Sequence, residues 1–238
     1  MTLGLCAYAI TRDTASPPAE TQLITHRGLG LVAAEMDLAP FAGLDTDPAA
    51  WATEPAEDDP LVVLARRHDA VVRAVFEHQP VLPFRFGTVL RDQEAAVRLL
   101  TERHDPVGDA LDRVTGHREW GVRARVAPQT GEKRSGDGLS GTEYLAMRRR
   151  RLIAAERTRR LEADAATALH DALVRLASDC APRAKRSPGL LLDAAYLVHT
   201  GRETAFHNEI ERRRGDVLVD ITGPWPPYSF ARLAAAHA

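Results

Sequence analysis

Apolar positions in the first eighty residues form three short runs and one helical stripe. Residues 3–11 are apolar and bounded by polar residues, which predicts a buried strand. Residues 23–26 and 29–36 form two further runs around Arg27-Gly28, where glycine can supply the positive φ of a tight hairpin turn. From residue 61 to 76 apolar positions recur every three or four residues, which predicts a helix. The first part of the chain is therefore predicted to be α+β.

The pattern changes again at residue 119. Residues 119–126 alternate apolar positions with Arg123 and Arg125, which predicts a strand with one buried face. Residues 144–180 predict a long helix, and its continuous apolar stripe consists of Leu161, Ala165, Leu169, Leu173, Leu176 and Cys180.

Three more elements follow the long helix. Residues 190–199 predict a strand, residues 203–213 a helix, and residues 216–222 a strand with Val217, Val219 and Ile221 inward. From residue 119 the order is strand, long helix, strand, helix, strand. That order indicates a ferredoxin-like sheet covered by helices, with one strand missing or displaced.

Loops and boundaries complete the predicted organisation. Residues 39–60 are rich in proline and acidic residues, which predicts a loop with at most a short helix near residues 49–53. Residues 128–141 predict a mobile loop, because glycine, serine and charged residues dominate them. We expect two domains, residues 1–118 and residues 119–238.

Residues 81–90 form an aromatic segment. They are predicted to form a strand in which Pro83 favours an edge position or the start of the strand, and Arg85 lies between Phe84 and Phe86. Arg85 is expected either on the polar face of an edge strand or in an interdomain or partner contact with an acid.

The last apolar segment has no helical or strand period. Residues 221–231, called here the C-terminal strip, combine three prolines with a tryptophan, a tyrosine and a phenylalanine. Proline restricts φ and aromatic side chains bury large areas, so the strip is suited to packing on a surface at low entropic cost. It is expected to clamp its own domain, to bind a partner, or to form a mobile tail.

Composition limits the class of protein. The chain has 238 residues, 45% hydrophobic and 27% charged, with a net charge of −2. These values are typical of a globular protein and give no basic excess for nucleic-acid binding. No window reaches the roughly 20 apolar residues of a membrane span, and the N-terminus lacks a secretory signal, so we expect an intracellular protein. Cys6 and Cys180 are interpreted as small hydrophobic residues.

The chain carries one basic cluster and scattered histidines. Four consecutive arginines, residues 148–151, point around the whole helix circumference, so they predict a solvated, paired surface, with contact to an acidic partner or to nucleic acid as alternatives. The nine histidines are scattered singly, and no dinucleotide loop, phosphate loop or nucleophile elbow occurs. The sequence predicts no catalytic, cofactor-binding or metal-binding residues.

Three segments carry a resemblance to a known family. They are Leu-Pro-Phe-Arg-Phe-Gly-Thr at 82–88, Leu-Asp-Ala-Ala-Tyr-Leu-Val at 192–198 and Thr-Gly-Pro-Trp-Pro-Pro-Tyr-Ser-Phe-Ala at 222–231. In this order they resemble the gas vesicle protein F and L family. Phe84, Asp193 and the short tail after residue 231 depart from its pattern, which leaves the choice between F and L types open.

The resemblance implies a function. It implies a two-domain α+β protein with a modified ferredoxin-like C-terminal domain, a minor structural or assembly protein of cytoplasmic gas vesicles without cofactor or catalysis. Its implied partners are the major shell protein and other accessory proteins. The candidate interaction residues are Phe84, Arg85, Phe86, Pro224, Trp225, Pro227, Tyr228 and Phe230. The competing hypotheses are an enzyme that uses Arg85 and a nearby acid on a small anionic substrate, and a nucleic-acid binder.

Overall fold

A computed structural model describes residues 3–39, 59–126, 140–183, 187, 189–215 and 217–231. Of the residues described, 46% are helical and 32% lie in strands, and the strands form two antiparallel sheets, so the predicted α+β class is confirmed. Most of the predicted loops at 39–60 and 128–141, and the short tail, lie outside the described residues. The chain divides into two compact units, Met1–Glu119 with Pro224–Ala238, and Trp120–Gly223.

The described residues of the first unit form a five-stranded sheet and three helices. Its elements are β1 Leu3–Arg12, β2 Gln22–His26, β3 Leu29–Asp37, α1 Pro60–Phe76, β4 Leu82–Pro83, β5 Val89–Leu90, α2 Gln93–Glu102 and α3 His104–Val114. The strand order is β2-β3-β1-β4, and β5 also pairs with β1. The predicted hairpin is confirmed: His26 pairs with Leu29, and Arg27 and Gly28 have φ values of 47° and 85°.

The core beneath α1 depends on an irregularity in β1. The register between β1 and β3 shifts between Ala7 and Ala9, so Tyr8 is an extra residue in its strand. A bulge of this kind re-aims a side chain. Tyr8 packs with Cys6, and with Val72 and Val75 of α1, in one buried cluster.

Residues 81–90 are not the single strand that the sequence predicted. Two short strands, β4 and β5, flank a turn in which Gly87 has φ 82°. Both the backbone N and the hydroxyl of Thr88 donate to the carbonyl of Arg85, at 3.1 and 2.7 Å. Glycine adopts this φ without strain, so Gly87 allows the chain to turn away from the sheet between β4 and β5. Arg85 therefore lies in a turn and not on a strand face.

A side-chain cap and a proline determine where the next two helices begin. The Asp92 side chain accepts a hydrogen bond from Ala95 N at 2.7 Å and so caps the start of α2. Helices α2 and α3 are separated at Arg103, three residues before Pro106, because proline is accommodated in the first turn of α3. Gly116, with φ 71°, lies between α3 and the next strand.

The second unit is built on a four-stranded sheet. Its elements are β6 His117–Arg125, α4 Gly141–Leu176, β7 Asp179–Pro182, β8 Leu190–His199, α5 Glu203–Arg212 and β9 Leu218–Trp225. The first three residues of β6 and the last two of β9 are grouped with the first unit. The strand order is β7-β8-β6-β9. The succession of elements is that of a β-α-β-β-α-β unit. The strand that the sequence pattern lacked is β7, whose four residues are too short to show a period and include a proline.

Helix α4 is packed over only part of its length. Ala166, Leu169 and Leu173 are buried in the core of the second unit, whereas Leu161 is 62% exposed. The predicted apolar stripe is therefore wrong at its N-terminal end, and Cys180 lies in β7 beyond the helix. The helix begins with a complete capping box between Ser140 and Glu143. The hydrogen bonds from Ser140 lower the pKa of the Glu143 carboxyl.

Candidate interaction surface

The C-terminal strip turns back on itself after β9. Pro226, Pro227 and Phe230 are buried, Trp225 and Tyr228 are half-buried, and Pro224 is exposed. The backbone nitrogens of Phe230 and Ala231 both donate to the carbonyl of Pro227, at 3.1 and 2.9 Å. These bonds form a compact turn, so the strip is not extended throughout.

A buried carboxylate holds this turn in place. Glu119 is 2% exposed, and its two oxygens accept hydrogen bonds from the backbone N and the hydroxyl of Ser229, each at 2.7 Å. Arg113 of α3 adds a bond from Nη2 to the carbonyl of Phe230 at 3.3 Å. Hydrogen bonds to charged groups are stronger than neutral ones. The turn is therefore held by Glu119 and Arg113 of the first unit. One alternative that the sequence left open was a clamp on residues 119–238, the domain to which it assigned the strip.

The two half-buried aromatics of the strip lie against α1. The Arg73 guanidinium carbon is 4.1 Å from the centroid of the Trp225 ring, a cation–π contact. Arg73 also pairs with Asp69 through Nε at 2.6 Å, which fixes the guanidinium. Tyr228 packs against the core cluster beneath α1, and burial, with the nearby Asp69 carboxylate, raises the pKa of its phenol. Tyr228 thus presents a neutral hydroxyl at neutral pH.

The aromatic segment around Arg85 meets the same helix at its buried histidine. Phe84 is 8% exposed, Phe86 is half-buried and Arg85 is exposed. The centroid of the His68 ring lies 5.2 Å from that of Tyr8 and 5.9 Å from that of Phe86. His68 Nε2 lies 3.1 Å from the Phe84 carbonyl oxygen, so this nitrogen is the donor.

The candidate residues therefore differ in how far they are exposed to solvent. Phe84, Pro227 and Phe230 are internal, and Arg85 has no carboxylate partner within the described part of the chain. The sequence missed Glu119, His68 and Arg73 as the residues that hold the two segments. The sequence pattern does not identify Glu119 as a buried residue. Strand alternation places it on the same face as Arg123, and the sequence predicts that face to be exposed to solvent.

The described residues also form an open cavity away from the C-terminal strip. A cavity of about 490 Å³ opens beside the start of α2, lined by Leu3, Gly4, Leu5, Glu35, Arg91, Asp92, Gln93 and Glu94. Arg85 is not among these residues. Within the described ranges, no three His, Cys, Asp or Glu side chains are placed to hold a metal ion. Among the helices described, none is long and apolar enough to span a membrane.

The architecture is that of a class of gas vesicle proteins. It is similar to the crystal structure of the gas vesicle protein GvpF from Anabaena sp. PCC7120, with a TM-score of 0.67 and 17% sequence identity. The match covers 98% of this chain and 99% of that one. At this identity the comparison establishes the fold.

The family follows from the sequence comparisons. A family model described as gas vesicle synthesis protein GvpL/GvpF matches residues 4–232, and the chain belongs to this family. It is 36% identical over 194 residues to gas vesicle protein L of Streptomyces sp. strain CB03234, covering 74% of this chain and 71% of that protein. It is 27% identical over 187 residues to gas vesicle protein F2 of Halobacterium salinarum, covering 76% and 72%. The resemblance is confirmed, and the chain has a role connected with gas vesicles.

Proposed function

We propose that this chain is a minor structural or assembly protein of gas vesicles, acting in the cytoplasm by binding the major shell protein and other accessory proteins. Family membership and the names of the related proteins support the connection with gas vesicles. The proposal adds the binding partners and the surface through which the shell protein is bound.

The observation that carries the proposal is the state of Trp225. Its ring is half-buried beneath the Arg73 guanidinium, while Pro227 and Phe230 on the same strip are buried. An aromatic side chain held in place before binding loses little conformational entropy when a partner covers it. Tryptophan, tyrosine and arginine are also the residues that contribute most often to binding energy at interfaces. Trp225, Tyr228 and Arg73 therefore form the proposed binding surface.

Binding of this kind would solve a physical problem of shell assembly. A subunit destined for a water-excluding shell has apolar faces or strand edges that aggregate before incorporation. An accessory protein with a rigid aromatic surface can cover such a face until the subunit is added. This step needs neither a cofactor nor catalysis.

The proposal is tested by titrating the purified chain with freshly solubilised major shell protein. We expect saturable binding, which Trp225→Ala weakens about thirtyfold or more, because loss of an aromatic hot spot costs about 2 kcal/mol or more. Leu218→Ala is the matched control, since Leu218 is a half-exposed apolar residue outside this surface. Phe230 is left unchanged because it is buried, and its truncation would test folding. Equal affinity for the unchanged chain and for folded Trp225→Ala would refute this surface.

A further inference from the structure

The N-terminal half of α4 is a helix with solvent on nearly every side. Of residues 142–164 all but three are exposed, whereas burial begins with Ala166. This half nevertheless carries five large apolar residues that are 46% to 64% exposed to solvent: Tyr144, Leu145, Leu152, Ile153 and Leu161. Scattered apolar residues on a surface need no explanation, but several on one helix face do. The positions of these residues around the helix decide whether they form a single apolar face.

Three of these apolar residues share a face with two arginines. Leu145 and Leu152 are seven residues apart, so they lie one above the other about 10 Å apart along the helix. Ile153 is eight residues from Leu145, which places it about 80° around the helix from Leu145, at the margin of the same face. Arg148 and Arg149 are three and four residues from Leu145 and lie between the two leucines. The result is a short apolar stripe with guanidinium groups along it.

The charge of this half is opposite to that of the whole chain. Residues 142–164 contain seven arginines and four acidic residues, a net charge of +3, in a chain of net charge −2. Glu156 pairs with Arg159 at 3.8 Å. By contrast, no carboxylate in the described part of the chain pairs with any arginine at 148–151. The predicted paired surface is thus realised at Arg159, while the four consecutive arginines keep their charges available.

We propose that the exposed half of α4 binds an acidic amphipathic helix of a partner protein. The partner's apolar residues pack on Leu145, Leu152 and Ile153, since apolar positions seven residues apart on one helix match the same spacing on another. Carboxylates flanking that apolar stripe pair with Arg148 and Arg149. The surface belongs to the second unit and is a binding site additional to the one proposed on the C-terminal strip.

Charge and shape favour a protein partner over the other anionic surfaces. Glu156 lies four residues from Leu152 on the same face, and its negative charge repels a phosphate backbone or an anionic membrane. A binding helix can instead place a basic or neutral residue opposite Glu156. An apolar stripe at the centre of the basic surface likewise fits a packed helix better than a nucleic acid.

The test uses the full chain and two designed helical peptides of 24 residues. Both carry leucine at the a and d heptad positions; one has glutamate at the flanking e and g positions, and the other has lysine there. Fluorescence anisotropy at low salt is expected to show saturable binding of the glutamate peptide, at least tenfold tighter than that of the lysine peptide. Binding should weaken as salt is raised, because exposed charges are screened.

Two double variants with the same change in net charge locate the site. Arg148→Glu with Arg149→Glu is expected to weaken binding of the glutamate peptide at least tenfold. Arg175→Glu with Arg202→Glu changes two exposed arginines elsewhere in the same unit and should leave the affinity within about twofold. Leu145→Ser with Leu152→Ser is expected to weaken binding at unchanged charge. Circular dichroism and thermal unfolding confirm that each variant is folded.

Several results would overturn this inference. Equal affinity for the two peptides would show that binding does not depend on the peptide's charge. An equal loss of affinity in both charge variants would show that the site does not lie at Arg148 and Arg149. Saturable binding to duplex DNA or to phosphatidylserine liposomes without binding of the glutamate peptide would assign the surface to another anion. Concentration-dependent dimerisation through residues 145 and 152, without peptide binding, would assign it to a second copy of the chain. None of these outcomes depends on the titration of Trp225→Ala with shell protein.

Discussion

At the scale of single residues, one buried histidine links sheet, helix and turn. His68 is 3% exposed, bonded to the Phe84 carbonyl and packed between the rings of Tyr8 and Phe86. Its Nδ1 has no hydrogen-bond partner in the described structure. Burial lowers the pKa of the imidazole, although the Phe84 carbonyl and Asp69 act in the opposite direction. His68 is therefore neutral in the folded protein at neutral pH.

The lowered pKa of His68 predicts a loss of stability in mild acid. Below the ordinary histidine pKa of about 6.5, the unfolded chain binds a proton that the folded chain resists, so the free energy of unfolding rises with pH through this window. It should fall as pH is lowered from 7.5 to 5.5. Urea unfolding at each pH is expected to show a smaller decrease for His68→Phe than for the unchanged chain. Equal decreases would mean that other groups cause the acid sensitivity.

Glu119 predicts a second effect at this scale. Glu119→Gln should lower the free energy of unfolding by about 1–3 kcal/mol, because it replaces a charged acceptor of two hydrogen bonds and brings a donor against those of Ser229. Urea unfolding measures the difference. Glu94→Gln serves as control, since the Glu94 side chain is 87% exposed and its change should be within about 0.5 kcal/mol. Similar effects for both variants would contradict the clamp.

Residue roles were only partly predictable. The composition of the C-terminal strip identified Trp225 and Tyr228 as surface-seeking side chains because prolines and aromatics form no regular period. The residues that hold them, Arg73 and Glu119, are distant in sequence and carry no local pattern. A charged residue becomes recognisable as a clamp only when folding brings its partner to it.

At the scale of elements, α4 shows the limit of a periodic pattern. Apolar residues every three or four positions predicted one helix, and the helix is present over Gly141–Leu176. The same pattern could not show how far the core extends along it. Conversely, the four residues of β7 are too few to display any period, so the fourth strand of its sheet was missed. Periodicity predicts that an element exists better than it predicts what covers it.

Two leucines of α4 provide a matched test of where packing begins. Leu169→Ala should lower the free energy of unfolding by about 2–5 kcal/mol, because Leu169 is fully buried and its truncation leaves a cavity. Leu161→Ala, at an exposed position, should change it by no more than about 0.5 kcal/mol. Both changes have the same chemistry and helix propensity. A cost at Leu161 comparable to that at Leu169 would contradict an exposed N-terminal half.

At the scale of the whole molecule, order along the chain and grouping in space differ at the C-terminus. The predicted division at residues 118 and 119 treated everything after it as one domain, but the strip from Pro224 onward is grouped with the first unit. Strand and helix order alone could not indicate this, because the strip begins in β9, a strand of the second sheet, and its residues after Trp225 have no regular structure. The family, in contrast, was accessible from three short segments, because their composition is unusual.

The measurement that tests the account most directly is photo-crosslinking in cells that form gas vesicles. A photoreactive phenylalanine analogue is placed at Trp225 or, as control, at Leu218, and the adducts are identified by mass spectrometry. We expect an adduct with the major shell protein from position 225 that is at least several-fold more abundant than from position 218. An abundant adduct from position 218 with none from position 225, in folded protein, would contradict binding of the shell protein through the C-terminal strip.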